Sequence, residues 1–190
     1  RRSTTISTAV RRGIIQGVPL RDSGIPWIGL TAAHWTIQQM RRIATSTAGT
    51  GFPIEEQGLE DERYPFYKVN ALGRADADGV IRDRYDTISR DTAAKLRAGI
   101  VRSGTLVMAK IGAALMLGRI RILSYDSCID NNMLAVTPRA GMFTRFMYYA
   151  LQDLKMDLLV NPGAIPSLSE RSFRSYQLPV PPVDEQRRIA

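Results

Sequence analysis

The chain has 190 residues, 44% of them hydrophobic and 23% charged, with a formal net charge of +8. That is enough for one domain with a real core and room for a small appendage. A single cysteine excludes an intrachain disulfide and a cysteine-based zinc cluster, and no apolar run approaches a membrane span.

Cys128 therefore reads as a small buried hydrophobe in a reducing, cytoplasmic setting. No signal peptide is visible. The chain opens at Arg1-Arg2 without methionine and is expected to be part of a longer protein. Only Lys68, Lys95, Lys110 and Lys155 are lysines, so arginine carries the basic excess. That excess favours a polyanionic partner, because the planar guanidinium matches phosphate and the guanine edge. Genomic base composition is the competing explanation for it.

Residues 1–16 read as the end of a helix. Ile6, Ala9, Val10 and Ile14 keep helical spacing, Arg11 and Arg12 fall in the last turn, and Gly13 or Gly17 stops it. Residues 21–29 form a turn-rich connector in which Trp27, with Trp35 beyond it, anchors on the core. Residues 36–46 fit strand or helix, residues 47–53 a loop, and residues 55–62 an acidic solvated loop. Residues 64–69, aromatic and β-branched behind a proline, read as a strand. Asp76, Asp78 and Asp83 lie near Gly79, but EF-hand spacing fails and the closing glutamate is missing. Residues 89–96 predict a short helix capped by Ser89 and ended by Gly99.

The stretch from Val101 to Asn132 is the centre of the chain. Residues 105–111 are apolar except for Lys110, the pattern of a strand buried on both faces. Residues 119–122 alternate, placing Ile120 and Ile122 inward and two arginines outward. Between them, the small-residue run from Gly112 to Gly118 predicts a hairpin turn. A basic hairpin of this kind lets backbone approach a large anion; a core hairpin with solvated arginines is the alternative. Residues 133–137 predict another strand. Phe143, Phe146, Met147, Ala150, Leu151 and Leu154 predict an amphipathic helix whose apolar stripe faces the core. Residues 161–169 form a loop, 169–175 a short helix and 176–180 a strand. Pro181-Pro182 then opens a helix with acids first and arginines after.

Familiar catalytic chemistry is missing. His34 is the lone histidine, which disfavours zinc hydrolysis and a Ser-His-Asp triad. There is no phosphate-binding GxxxxGK[ST] loop and no GxGxxG. These absences favour a binding module without a cofactor over an enzyme.

The C-terminal residues Leu178-Pro-Val-Pro-Pro-Val-Asp-Glu-Gln-Arg-Arg-Ile-Ala190 resemble the junction that ends a target recognition domain in specificity (S) subunits of type I restriction–modification enzymes. Other pieces agree in order. Residues 22–29 with His34-Trp35 resemble the opening of such a domain, and residues 64–69 its aromatic-basic strand. Residues 104–112 resemble its glycine–hydrophobic–alanine–basic–x–glycine hairpin, and Asn131-Asn132 and residues 165–169 also match. The family turn after the basic residue is tighter than the separation of Gly112 and Gly118.

The resemblance implies an α+β fold: a twisted, mainly antiparallel β-sheet core with several short helices and stubs of long spacer helices at both ends. Residues 1–20 would end one spacer helix and its connector, residues 21–181 form the recognition domain, and residues 182–190 start the second spacer helix. It implies recognition of one half of a split double-stranded DNA target, as a non-catalytic component serving methyltransferase (M) subunits and a nuclease-translocase (R) subunit. The methyl donor would sit in the partner.

Candidate DNA contacts are Lys110, Gly112 and Arg119 at the hairpin, Lys68 and Asn70 at the aromatic strand end, and Ser167 in the late loop. Asn131 and Asn132 suit adenine, or equally a structural turn. Lys68 and Arg121 are candidates for phosphate contact, with plain solvation as the alternative. Two other hypotheses stand beside this one: the recognition part of a fused restriction–modification enzyme, and a basic protein-assembly domain.

Overall fold

The computed structural model describes residues 2–190, with side chains from Thr5 onward; Arg1 lies outside the described residues. In chain order its helices and strands are α1 (Arg2–Arg12), β1 (Leu20–Asp22), β2 (Leu30–Ala32), β3 (Thr36–Gln39), α2 (Met40–Ile43), β4 (Ala44–Ala48), β5 (Tyr64–Tyr67), β6 (Val80–Ile81), β7 (Thr87–Ile88), α3 (Arg90–Lys95), β8 (Leu106–Ala109) and α4 (Gly112–Met116). There follow β9 (Arg121–Leu123), β10 (Cys128–Ile129), β11 (Met133–Pro138), α5 (Thr144–Gln152), β12 (Val160–Asn161), β13 (Ser167–Leu168), α6 (Glu170–Ser175), β14 (Gln177–Val180) and α7 (Val183–Ile189). No helix among the described residues is long and apolar enough to cross a membrane.

The chain divides into two compact units, both assembled from separated segments. The first comprises residues 1–45, 138–159 and 169–190; the second comprises residues 46–137 and 160–168.

In the first unit, β3 and β14 pair antiparallel from Thr36↔Val180 to Gln39↔Gln177, joining early and late chain. Trp35 is fully buried beside this ladder, and Trp27 stacks on Tyr176 with ring centroids 5.2 Å apart. Both tryptophans are thus anchors, as their size requires. The helix α1 stops at Gly13, whose φ of +86° is the left-handed cap conformation that glycine tolerates. Its last turn is fixed by Arg11, which pairs with Asp153 after α5 at 2.6 Å. Residues 36–46, open between strand and helix on periodicity, are both: β3 runs directly into α2 and then β4.

The helix α7 is fastened at its first turn. Glu185 accepts from Trp35 Nε1 at 3.0 Å and pairs with His34 Nε2 at 2.6 Å. Gln186 is buried: its amide donates to the carbonyls of Gly141 and Pro181, and its oxygen accepts from the Phe143 amide. Burial alone would raise the Glu185 pKa, but the hydrogen bonds from His34 and Trp35 outweigh it and hold the carboxyl below its ordinary value. A carboxylate with a depressed folded-state pKa adds stability above its unfolded pKa and loses it as pH falls through the folded value. The melting-temperature gap between wild type and Glu185→Gln is therefore expected to be full at neutral pH and to close below about pH 4, the range in which free carboxylates titrate. A gap independent of pH would contradict this.

In the second unit the central strand is β8. All four of its residues are buried, which is why the sequence shows a continuous apolar run there rather than alternation. It lies in a five-stranded sheet of order β4-β11-β8-β9-β6. The strand β8 is antiparallel to β11 and to β9, while β6 runs parallel to β9. A second sheet, β10-β5-β7, packs Tyr64, Phe66, Ile88 and Cys128 with Phe52, whose ring stacks on Phe66 at 3.8 Å. Burial pushes the Cys128 thiol up to about 11, so it stays protonated and inert at neutral pH.

The α+β class and the mainly antiparallel pairing agree with expectation, but the strands are shared among several small sheets. Two local readings are corrected. The run between Gly112 and Gly118 is not a hairpin turn but the helix α4: Ala113, Ala114, Leu115 and Met116 are strong helix formers, and Leu115 is buried. The helix α3 has the expected Ser89 cap, with the Ser89 hydroxyl accepting from the Thr92 amide, but it ends at Lys95 with Leu96 as C-cap, and the left-handed residue that closes it is Arg97, not Gly99. Arg97 takes the left-handed conformation at φ +51°, and its amide closes onto Ala94.

Candidate nucleic-acid interface

All nine candidate contact residues fall in the second unit. They form two groups. The first surrounds the end of β8. The Lys110 amide donates to the Asn132 carbonyl at 2.9 Å, and its carbonyl accepts from the Leu168 amide at 2.8 Å. Gly112 follows with φ +73° and donates to the Pro166 carbonyl at 2.8 Å. Ile111 bridges to Ser167. The late loop, about fifty residues downstream, is thus laid along Lys110–Gly112 by backbone hydrogen bonds, so Lys110, Gly112, Ser167 and Asn132 are neighbours.

Asn131 and Asn132 lie in the turn from β10 to β11. Asp130 organises it: its side chain accepts from the Asn132 amide at 2.6 Å and its carbonyl from the Met133 amide at 2.9 Å. Aspartate closing onto an amide two residues on is the expected Asx geometry. Asn131 is exposed.

The second group surrounds the 3₁₀ turn Val69–Gly73, which follows β5. Asn70 is exposed on it. Arg121 reaches it from β9: Nε donates to the Leu72 carbonyl at 2.9 Å and Nη1 to its neighbour Ile120 at 2.7 Å. That leaves three of its five N–H donors, the second on Nη1 and both on Nη2. The Arg119 guanidinium lies over Gly73, where an added Cβ would come within 3.3 Å of Nη1. Lys68 donates to Gln57 Oε1 at 2.5 Å, lies 3.5 Å from Asp86 Oδ2, and sits over the Phe52 ring.

The nine residues therefore differ in what they have left to offer. Lys110 and Arg119 make no side-chain hydrogen bond or ion pair with the described residues. Lys68 and Arg121 are partly engaged within the fold, Lys68 by Gln57 and Asp86 and Arg121 by two backbone carbonyls. Of the other cations of this unit, Arg74 pairs with Asp83, Arg82 with Asp76 and Lys95 with Glu56, and Arg84 donates to the Glu62 carbonyl, while Arg63, Arg90, Arg97 and Arg102, like Lys110 and Arg119, make no side-chain hydrogen bond or ion pair with the described residues. The Asp76 carboxylate also accepts the amides of Asp78 and Val80, so this aspartate-rich stretch is occupied by its own chain. The second unit holds twelve lysines and arginines against twelve aspartates and glutamates, and is neutral overall. Unpaired cations in a neutral unit suit local recognition more than bulk attraction.

One feature was hidden from sequence reasoning. Met116 and Leu117, at the end of α4, are 53% and 61% exposed, and Ile165 in the late loop is 67% exposed. Their signal was an apolar run longer than one buried helix face needs: Leu115 alone turns inward. Apolar side chains thus accompany the polar groups along these segments.

The family model described as Type I restriction modification DNA specificity domain matches residues 34–190. The fold is similar to that of the HsdS subunit from Thermoanaerobacter tengcongensis, with a TM-score of 0.62 at 18% identity, over 98% of this chain and 40% of that one. A chain in a structure of the type I R-M system gives 0.65 at 16% identity, over 99% and 43%. The S subunit of the M. genitalium type I restriction-modification system gives 0.55 at 14%, over 82% and 37%. The chain spans about two fifths of the length of these structures. No curated protein matches it. With the match covering most of its length, the chain belongs to the type I restriction modification DNA specificity domain family.

Proposed function

We propose that this chain recognises, by sequence, one half of a bipartite double-stranded DNA target, as the non-catalytic recognition part of a type I specificity subunit. In that role it directs methyltransferase (M) subunits and a nuclease-translocase (R) subunit in the cytoplasm and needs no cofactor of its own. Residues 21–181 are the recognition domain; residues 1–20 and 182–190 belong to the spacer helices that flank it.

The observation that carries this reading is the placement of two cations free of side-chain partners among the described residues: Lys110 beside Asn132 and the Ser167 loop, and Arg119 over the turn that carries Asn70. Base edges are read by a few such donors: lysine or arginine on the guanine edge, asparagine on adenine, and apolar side chains on the thymine methyl. Lys110, Arg119, Asn70, Asn131 and Ser167 supply the polar groups. Gly112 lets backbone approach, Met116, Leu117 and Ile165 supply apolar contact, and Lys68 and Arg121 support phosphates through their remaining donors.

The test is selection from randomised duplex DNA by the full specificity subunit with its methyltransferase partner. Enrichment of a short half-site that depends on this domain is expected. Enrichment that persists when the domain is exchanged for another specificity domain would contradict the proposal.

A further inference from the structure

The net positive charge of the chain is entirely in the first unit, which holds fourteen lysines and arginines against six aspartates and glutamates. The second unit, drawn from the same arginine-rich composition, balances its charges. Genomic base composition therefore does not account for the partition.

Within the first unit the fold gathers part of that excess. The helix α2 ends in Arg41 and Arg42. The Arg139 amide donates to the carbonyl of Ile43, the next residue, at 2.8 Å, so Arg139 lies beside them. The helix α6, carrying Arg171 and Arg174, lies against α2, and the Met40 amide donates to the carbonyl of Tyr176 at the end of α6 at 2.8 Å. All five arginines are exposed. None has an ion pair among the described residues, and the one polar partner is Gln39, which accepts from Arg41 Nε at 2.8 Å. Glu170 is the only carboxylate on these elements. Elsewhere in the unit Arg11 and Arg187 are paired with aspartates, and Arg21 donates to the carbonyls of Ala33 and Trp35.

Five like charges on neighbouring elements, set against the single carboxylate of Glu170, repel one another in the free protein, and a polyanion removes that cost. All five are arginine, whose fork binds phosphate oxygens in pairs. We propose that Arg41, Arg42, Arg139, Arg171 and Arg174 form a surface that contacts the phosphates of duplex DNA and positions the domain without reading bases. The proposal rests on the DNA-recognition reading and adds to it a second set of residues with a different task.

Affinity of the specificity subunit–methyltransferase complex for target and non-target duplexes, measured across a salt series, tests it. The double substitutions Arg41→Ala/Arg42→Ala and Arg171→Ala/Arg174→Ala are compared with wild type and with the matching lysine pairs. Each alanine pair should weaken binding to both duplexes alike and leave their ratio unchanged. It should also flatten the dependence of log affinity on log salt by about 0.9 for each phosphate no longer neutralised. The lysine pairs should restore most of the slope. An unchanged slope would overturn the proposal, as would a collapsed ratio with the slope intact. Loss of methyltransferase assembly with DNA binding intact would overturn it too, in favour of an acidic protein partner. A wild-type complex with no target preference would instead overturn the recognition reading, and the change in slope would still decide the surface.

Discussion

Gly49→Ala is expected to destabilise the protein by about 3 kcal/mol or more, at or above the upper end of overpacking costs. A Cβ at Gly49 would stand 2.1 Å from the Ile129 carbonyl oxygen, 2.3 Å from that of Asp130 and 2.6 Å from the Ile129 carbonyl carbon. All three are backbone atoms, so no side chain can rotate away. The strand end is also tied in place, since Thr50 donates to the Ile129 carbonyl at 3.0 Å and Gly49 to that of Met133. Relief therefore requires displacement of the β10–β11 turn, which holds Asn131 and Asn132 and accepts the Lys110 amide. For a chain of this size the melting temperature should fall by about 6–12 °C. Target discrimination should fall with it, measured well below the transition. A variant with wild-type melting behaviour would show that the close approach is not part of the folded state.

Gln186→Ala is expected to cost about 2–4 kcal/mol, read from denaturant midpoints at constant slope. The substitution removes the partner of three backbone groups at once: the carbonyl of Pro181, whose bond is buried, and the carbonyl of Gly141 and amide of Phe143, whose bonds are partly buried. Gln186→Glu distinguishes loss of hydrogen bonding from loss of bulk. It keeps size and the acceptor for Phe143, but sets a carboxylate oxygen against two carbonyls, so it should be at least as destabilising as alanine. Gln186→Met, matching in length but unable to donate, should fall with the alanine variant. A benign methionine would assign the effect to packing alone. Together with Glu185 on His34 and Trp35, this explains physically why a Glu-Gln pair follows the double proline. One side chain clamps the connector and the other satisfies the loop that opens α5.

What could be read from the sequence was what local periodicity encodes. The apolar run at Leu106–Ala109 is a doubly covered strand, the stripe from Phe146 to Leu151 is the buried face of α5, and Ser89 caps the helix it precedes. Elements of two residues, such as β6 and β7, carry no period and escaped notice. The glycine-bounded run before Arg119 fits a turn or a helix, and burial of Leu115 decided for the helix. The site was legible as residue types but not as availability. Arg121 and Lys68 look like Arg119 and Lys110 in sequence; only the fold reveals that Leu72, Gln57 and Asp86 already engage the first two. The basic surface of the first unit was illegible for the same reason. Its arginines come from positions as far apart as 41 and 174, and pairing elsewhere, not composition, makes them stand out.

The most direct measurement is the ratio of affinities for target and non-target duplex, taken at one salt concentration, for the wild-type complex and for Lys110→Ala and Arg119→Ala. Each substitution should lower the ratio by about 5- to 150-fold, the worth of one specific base contact, with little change in salt slope. A ratio that survives both substitutions, in variants that remain folded, would contradict the claim that these two unpaired cations read the target.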